Sequence, residues 1–126
     1  MFGKFKVLLD TNALTIPGKY KVDIFRELEK FGNPEFYVLD IVIGELEKLR
    51  EKGGQDAKYA KLGFELINKE KVKIILATGK CADTEMVKLA SKGFVVCTQD
   101  AGLKKRIRAK KKPVVSLRQG RYLIKN

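Results

Sequence analysis

The sequence predicts an α/β fold built around a parallel β-sheet. Short apolar runs, typical of buried strands, alternate with longer segments whose apolar residues recur every three or four positions, as in helices. This alternation indicates βαβ units. The 126 residues are enough for one core, and a content of 44% hydrophobic and 33% charged residues is that of a folded protein. We therefore expect a single domain over residues 1–126.

Each predicted strand is a short apolar run ended by polar residues, glycine or proline. In chain order, the strands are Phe5–Leu9, Phe36–Leu39, Val72–Leu76, Phe94–Cys97, Pro113–Leu117 and Tyr122–Ile124. The predicted helices are Val22–Phe31, a segment from Asp40 to Gly53, Asp56–Lys69, Ala82–Ser91 and Asp100–Lys111. Asp40 is predicted to be the N-cap of its helix. Pro17-Gly18 is predicted to break the chain before the first helix.

Most of the net charge of +12 lies near the C-terminus. Residues 101–126 contain ten Lys or Arg and no Asp or Glu, whereas residues 1–100 contain seventeen basic and fifteen acidic residues. A charge concentrated in this way suits a polyanion such as nucleic acid. The cations predicted to bind it are Lys104, Lys105, Arg106, Arg108, Lys110, Lys111 and Lys112. The alternative is a solvated lysine-rich helix, common in heat-stable proteins.

Several classes of protein are excluded or disfavoured by composition. The chain has no histidine, which excludes a His-based catalytic triad and a His-containing zinc site. Cys81 and Cys97 are widely spaced, and we expect buried thiols rather than a disulfide. No apolar run approaches the roughly 20 residues needed to span a bilayer. The segment from Met1 runs directly into the first strand without a signal peptide, so we expect a cytoplasmic protein.

Four acidic residues follow strand-like runs: Asp10, Glu45, Asp83 and Asp100. Right-handed crossovers bring the carboxyl ends of parallel strands to one edge of the sheet, where open α/β folds bind ligands. Carboxylates gathered there repel one another unless a cation neutralises them, and hard oxygen ligands suit magnesium or manganese. Such ions activate water and stabilise the pentavalent phosphate in hydrolysis. Taken singly, each aspartate is better explained as a helix cap or a first-turn acid, and Glu45 as a solvated helix residue.

Four short motifs of the chain resemble those of the PIN-domain nucleases, in order and in spacing. They are Asp10-Thr11-Asn12, Ile43–Leu49 around Glu45, Ala82–Glu85 around Asp83, and Thr98-Gln99-Asp100. Together they cover nearly the whole chain. The residues Asp100–Ile107 and Pro113–Leu117 are most similar to the PIN proteins of small-subunit ribosomal RNA maturation in archaea and eukaryotes.

This resemblance implies a three-layer α/β/α fold with a central, mostly parallel sheet, and a metal-dependent endoribonuclease active in ribosomal RNA processing. It implies that Mg²⁺ or Mn²⁺ is held by four catalytic carboxylates, with two supporting residues: Asp10, Glu45, Asp83 and Asp100, supported by Asn12 and Thr98. The implied partner is RNA, either ribosomal RNA or its precursor. A homodimer or a ribosome-assembly partner is a further candidate, and no membrane is involved. The two cysteines cannot form the zinc ribbon of one branch of the ribosomal PIN proteins.

Three other functions stay open. A VapC-type toxin ribonuclease shares the fold and the acids, and it would be encoded beside an antitoxin. A haloacid-dehalogenase-like hydrolase would use Asp10 as a nucleophile, but the residue two positions on is Asn12 rather than aspartate. A non-catalytic RNA-binding assembly factor would bind metal weakly or not at all. Nuclease activity with manganese, and none with a chelator, separates the enzyme from the binding factor.

Overall fold

One six-stranded sheet organises residues 3–126, the part of the chain that the computed structural model describes. Met1 and Phe2, from which the absence of a signal peptide is inferred, lie outside the described residues. The strands are β1 (Lys4–Leu9), β2 (Asn33–Leu39), β3 (Lys73–Ile75), β4 (Val95–Cys97), β5 (Val114–Arg118) and β6 (Tyr122–Lys125). Their order is β3-β2-β1-β4-β5-β6, and every pairing is parallel except that of β6 with β5. The predicted α/β fold with a mostly parallel sheet is confirmed.

Helices form the connections between the parallel strands. They are α1 (Thr11–Tyr20), α2 (Ile24–Leu28, extended by a 3-10 turn at Glu29–Phe31), α3 (Asp40–Lys52), α4 (Gly54–Lys69), α5 (Ala82–Ser91) and α6 (Ala101–Ala109). Helices α1, α3 and α4 pack against one another, and α5 packs against α6. The connections from β1 to β2 and β3 run towards one edge of the sheet, and those from β3 to β4 and β5 run towards the other. Right-handed crossovers therefore place α1, α3 and α4 on one face of the sheet and α5 and α6 on the opposite face.

The centre of the sheet explains the apolar runs. Val7, Leu8 and Leu9 of β1 are fully inaccessible to solvent, as are Val96 and Cys97 of β4. A parallel strand covered by helices on both faces is buried on both sides, so its sequence is continuously apolar rather than alternating. The strands β1 and β4 are also the neighbours at which the order of the sheet reverses.

The predicted break at Pro17-Gly18 is wrong, because both residues lie inside α1. The helix continues to Tyr20 and ends at Lys21, which has a φ of 59° and whose amide donates to the carbonyl of Pro17 over 3.1 Å. A Cβ on Gly18 would lie 2.7 Å from Cδ1 of Tyr59 and 3.2 Å from its Cα, so glycine permits the close approach of α1 and α4. Tertiary packing therefore outweighs the local preference of these residues to end a helix.

Three smaller predictions also need correction. Asp40 is the first residue of α3 rather than its N-cap, and its Oδ1 accepts from the amides of Ile41 (2.9 Å) and Ala77 (3.0 Å). Helix α4 begins at Gly54 rather than at Asp56. Both cysteines are free, but Cys81 is exposed at the N-cap of α5, and Cys97 alone is buried. Burial raises the pKa of the Cys97 thiol to about 12.

No helix among residues 3–126 combines the length and apolarity that crossing a membrane requires. That the chain is a single domain stays a prediction.

Candidate active site

A cleft of about 550 Å³ lies at the carboxyl ends of β1 and β4. This is the position at which the strand order reverses, the usual ligand site of an open α/β sheet. The four predicted carboxylates all line the cleft: Asp10, Glu45, Asp83 and Asp100. The other lining residues are Thr11, Asn12, Thr15, Lys19, Lys48, Leu49, Asp56 and Tyr59.

Asp10 is the buried member of the four, with 7% of its surface exposed. It caps α1, and its Oδ1 accepts from the amide of Thr11 over 2.8 Å. Its Oδ2 accepts from the hydroxyl of Thr98 over 2.6 Å and from Nδ2 of Asn12 over 3.4 Å. Burial raises the pKa of this carboxyl, the hydrogen bonds from Thr98 and Thr11 oppose the rise, and the nearby charges of Glu45 and Asp83 add to it. The carboxylate is therefore fixed in place and short of compensating positive charge.

Thr98 and Asn12 join the ends of β1 and β4. The fully buried hydroxyl of Thr98 donates to Asp10 and accepts from the amide of Asp100 over 3.1 Å. The side-chain carbonyl of Asn12 accepts from the amide of Gln99 over 2.9 Å. Each of the two side chains therefore joins the loop after β1 to the loop after β4, and their supporting role in a reaction stays a prediction.

Gln99 is a supporting residue that the sequence motifs did not reveal. Its Oε1 accepts from the amide of Leu117 over 2.6 Å, and its Nε2 donates to the carbonyl of the same residue over 3.4 Å. The side-chain amide thus pairs with the main chain of Leu117 as an adjacent strand would, and it joins the loop after β4 to the end of β5. The sequence feature that could have pointed to a role for Gln99 is its position between Thr98 and Asp100. The neighbouring residues do not indicate a hydrogen-bond partner 18 positions away.

The other three carboxylates reach the cleft from different helices. Glu45 is exposed on α3 and accepts a hydrogen bond from the hydroxyl of Thr11. Asp83 is half-buried in the first turn of α5. Asp100 is exposed and caps α6, where its Oδ1 accepts from the amide of Leu103 over 3.0 Å. The cleft therefore combines acids from helices on both faces of the sheet.

Glu85, the second acid of the Ala82–Glu85 motif, has a different role. It is 6% exposed, and its Oε1 accepts from the amide and the hydroxyl of Thr78 over 2.7 and 2.8 Å. Its Oε2 lies 3.3 Å from Nζ of Lys88. The hydrogen bonds from Thr78, followed by the effect of Lys88, lower the pKa of Glu85 to about 2. This acid holds the loop after β3 against α5 and does not line the cleft.

The donor chemistry of the cleft fits a hard divalent cation. Carboxylate oxygens are the ligands that Mg²⁺ and Mn²⁺ prefer, and a cation would relieve the repulsion that Glu45 and Asp83 exert on Asp10. Within residues 3–126, no three acidic or thiol side chains stand close enough to bind one ion together. Such a lining would suit a cation that keeps several waters and binds one or two carboxylates directly, as magnesium usually does.

The basic segment, residues 104–112, lies outside the cleft but starts beside it. Helix α6 begins immediately after Asp100, and its buried residues are Leu103 and Ile107. Lys105, Arg106 and Arg108 are exposed, and Arg106 donates to the hydroxyl of Thr84 over 3.4 Å. Over the described range 3–126, no cation of residues 101–126 takes part in a salt bridge. These charges are therefore not neutralised within the protein.

The chain is similar to known proteins in family, sequence and structure. A model of the PIN-like domain family matches residues 7–120. Ribonuclease VapC4 of Methanocaldococcus jannaschii is 28% identical over an alignment 125 residues long, and the match covers 94% of this chain and 94% of that protein. The rRNA-processing protein FCF1 of Saccharomyces cerevisiae is 35% identical over 112 residues, covering 82% of this chain and 54% of the yeast protein. The chain thus spans about half the length of the yeast relative. The solved structure of the PIN domain endonuclease Utp24 is similar, with a TM-score of 0.74 and 26% identity over 94% of this chain and 88% of that one.

Proposed function

We propose that this chain, which belongs to the PIN-like domain family, is a metal-dependent endoribonuclease that acts on ribosomal RNA or its precursor. The resemblance to PIN-domain nucleases that its four motifs carry is confirmed by the family match. The observation on which the proposed activity depends is the buried carboxylate of Asp10, held by Thr98 in a cleft that four more carboxylates line. The name of the yeast rRNA-processing relative supports the proposed substrate, and the name of the Utp24 structure supports endonuclease activity.

The residues that would hold Mg²⁺ or Mn²⁺ are four of the five cleft carboxylates: Asp10, Glu45, Asp83 and Asp100. Asp10 is best suited to direct contact. A carboxylate offers about four acceptor positions. Thr11, Thr98 and Asn12 occupy three of those of Asp10, so its orientation is fixed and one position is left for a metal ion. When bound, such an ion lowers the pKa of water and stabilises charge on a phosphoryl oxygen.

The chain's own residues fix the positions of the acids. Thr98 orients Asp10 through its hydroxyl and Asp100 through the main-chain amide, so one side chain sets the relative position of two of them. Thr11 positions Glu45 in the same way, because its hydroxyl donates to that carboxylate while its amide donates to Asp10. Such preorganisation saves the cost of assembling the acids during the reaction.

The basic segment would supply the attraction for RNA that an acidic cleft lacks. Its unpaired cations begin at α6, directly after the acid that caps this helix at the cleft. Phosphate contacts of this kind give affinity without sequence specificity and position the backbone near the reacting groups. The proposed cations are those predicted from the sequence: Lys104, Lys105, Arg106, Arg108, Lys110, Lys111 and Lys112.

A toxin ribonuclease of the VapC type is the second candidate. It is supported by the match with ribonuclease VapC4, which extends over nearly the whole of both chains. The gene neighbourhood separates the two candidates, because such a toxin is encoded beside an antitoxin. We further propose a cytoplasmic location and leave a homodimer or an assembly partner as candidates for size measurement in solution.

RNA cleavage by purified variants tests the proposed activity. We expect cleavage with manganese and none with a chelator, and its loss in Asp10→Asn and Asp83→Asn, because an amide cannot supply the ligand charge. The matched control is Asp56→Asn, which also removes a cleft carboxylate but lies outside the proposed set. Melting curves establish that each variant is folded. Wild-type activity in Asp10→Asn, with contaminating ribonuclease excluded, would refute the assignment, and loss of activity in all three variants would show only a general need for negative charge.

A further inference from the structure

We propose that Tyr59, Lys48 and Lys19 form a binding site for one unpaired nucleotide in the same cleft, with the base stacked on Tyr59 and the adjoining phosphates on the two lysines. This inference rests on the proposed ribonuclease function and extends it, because it assigns substrate contacts to residues outside the proposed ligand set. Tyr59 and Lys19 lie outside the four acidic motifs, and Lys48 lies within the second, Ile43–Leu49, three positions after Glu45.

The helices present these residues to the cleft at regular spacing. On α3, Lys48 follows Glu45 by three positions, and on α4, Tyr59 follows Asp56 by three, so each pair lies on one face of its helix. On α1, Lys19 lies two turns after Asn12, again on the face that lines the cleft. The nucleotide site and the acids are therefore adjacent parts of the same helix surfaces.

Both lysines are free to bind a phosphate. They are exposed, and neither makes a salt bridge within residues 3–126, although five carboxylates line the same cleft. Nζ of Lys19 lies 5.6 Å from the centre of the Tyr20 ring, a contact that leaves its charge unneutralised. A polyanion would be repelled by those carboxylates, so a cation beside them is needed to hold RNA near Asp10. An ammonium on a flexible stem can contact a phosphate oxygen without a fixed geometry.

Tyr59 has the properties of a stacking platform. Its side chain is half-buried, and it packs against Gly18, where the missing Cβ lets the ring and the main chain of α4 come close to α1. In the described part of the chain, the ring has no aromatic or cationic partner and its hydroxyl makes no hydrogen bond. The residue thus packs against α1 at Gly18 and also lines the cleft.

The size and chemistry of the cleft favour an unpaired base over a duplex. A volume of about 550 Å³ is that of a small-molecule site. In a duplex, both faces of each base are covered by neighbouring base pairs, so a base must leave the stack before it can lie on Tyr59. Stacking on an aromatic side chain accepts any base, which gives preference for single strands without preference for sequence.

Binding of a short single-stranded RNA and of the matching duplex, measured in chelator at low salt, tests this inference independently of cleavage. Tyr59→Leu should weaken binding of the single strand by roughly 5- to 150-fold, whereas Tyr59→Phe, which keeps the ring, should bind like the wild type. Lys48→Gln should lower the slope of log affinity against log salt by about 0.7, the value for one phosphate contact. The control Lys61→Gln removes an exposed cation of α4 outside the cleft and should leave the slope unchanged.

A fluorescent base analogue in the same RNA reports stacking directly. We expect quenching on binding at one position of the single strand, absent in Tyr59→Leu and kept in Tyr59→Phe. Unchanged affinity and quenching in Tyr59→Leu, equal weakening of single-strand and duplex binding, or equal effects of Lys48→Gln and Lys61→Gln would each overturn the proposal. A wild type that fails to bind single-stranded RNA would overturn it too. Absence of cleavage would count against the proposed activity alone.

Discussion

Thr98 holds the cleft together through one hydroxyl, and Thr98→Val tests how much that hydroxyl contributes. Valine has nearly the same shape, so the substitution leaves no cavity, but it removes the donor to Asp10 Oδ2 at 2.6 Å and the acceptor for the amide of Asp100 at 3.1 Å. Because Thr98 is fully buried, water cannot readily replace the missing partner. Asp10 Oδ2 would keep only the longer contact with Asn12.

We expect the metal-free variant to lose about 2 to 4 kcal/mol of stability at neutral pH. A hydrogen bond to an ionised group contributes about 1.5 to 3 kcal/mol, and one between neutral groups about 0.5 to 1.5 kcal/mol. An unfolding entropy of about 2.1 cal/mol/K per residue makes 1 kcal/mol equivalent to about 4 °C in a chain of 126 residues. The melting temperature should therefore fall by roughly 8 to 15 °C.

The loss should depend on pH because the larger of the two bonds depends on the charge of Asp10. The pKa of Asp10 is raised in the folded protein, so the metal-free protein gains stability as the pH falls through that pKa. The Thr98 hydrogen bond favours the ionised carboxyl, and its removal raises the pKa of Asp10 further. The difference in stability between wild type and variant is thus fully present above the folded pKa of Asp10 in the variant. It shrinks as the pH falls from there through the lower folded pKa of the wild type.

Chemical denaturation in chelator, at a series of pH values, measures this difference. The matched control is Thr98→Ser, which keeps the hydroxyl and loses one methyl group, at a cost of about 1 kcal/mol that does not vary with pH. A Thr98→Val variant no less stable than Thr98→Ser, or a deficit constant across the pH range, would show that the hydroxyl does not support a charged Asp10.

Three further predictions concern other parts of the molecule. The pKa of Glu85 is lowered to about 2 from 4.5, so its contribution to stability is complete above pH 4.5 and is lost as the pH falls towards 2. Glu85→Gln weakens the hydrogen bonds from Thr78 and should therefore reduce the loss of stability between pH 4.5 and 2. An equally steep loss in the variant would contradict this. Gly18→Ala should lower the melting temperature by about 4 °C or more, because its methyl group would overlap Tyr59. The control Gly44→Ala, whose methyl group would have no atom within 4 Å, should raise the melting temperature by roughly 2 to 4 °C. Equal shifts of the two variants in thermal melts would refute the close approach of α1 and α4. Replacing three basic residues of α6 by glutamine should reduce the salt dependence of RNA binding by about 0.7 in slope for each phosphate that these residues bind, and an unchanged slope would identify α6 as a solvated surface. The three are Lys104, Lys105 and Arg108.

Sequence patterns were sufficient for the centre of the sheet because β4 and the second half of β1 are buried on both faces. Runs such as Val7–Leu9 and Val95–Cys97 have no polar alternation to obscure them, and a carboxylate or a hydroxyl marks each end. Helix α1 was missed for the opposite reason. Its middle contains Pro17 and Gly18, which locally favour a break, and only the packing against α4 shows why they are tolerated.

The candidate site was predicted in outline but not in its supporting contacts. The positions of Asp10 and Asp100 follow from strands that end at one edge of a parallel sheet, which sequence alone can indicate. The contacts of Gln99 with Leu117 and of Glu85 with Thr78 join side chains to distant main-chain groups. No local pattern encodes such bonds, because they depend on which loops the completed fold brings together. Whether the four carboxylates bind a metal stays a prediction.

The hydrogen bond between Thr98 and Asp10 joins residues 88 positions apart, which has a consequence for the order of events during synthesis. Domains generally begin to fold from the N-terminal side while the chain is made, at about 5 to 20 residues per second. Asp10 therefore precedes Asp100 by about 5 to 20 s. Until β4 is made, β1 can pair with β2, but the side of β1 that later pairs with β4 stays open and the cleft lacks Asp100 and the hydroxyl of Thr98. A chain interrupted before β4 thus carries no assembled site, so a protein that acts on RNA would be inert until its synthesis is nearly complete.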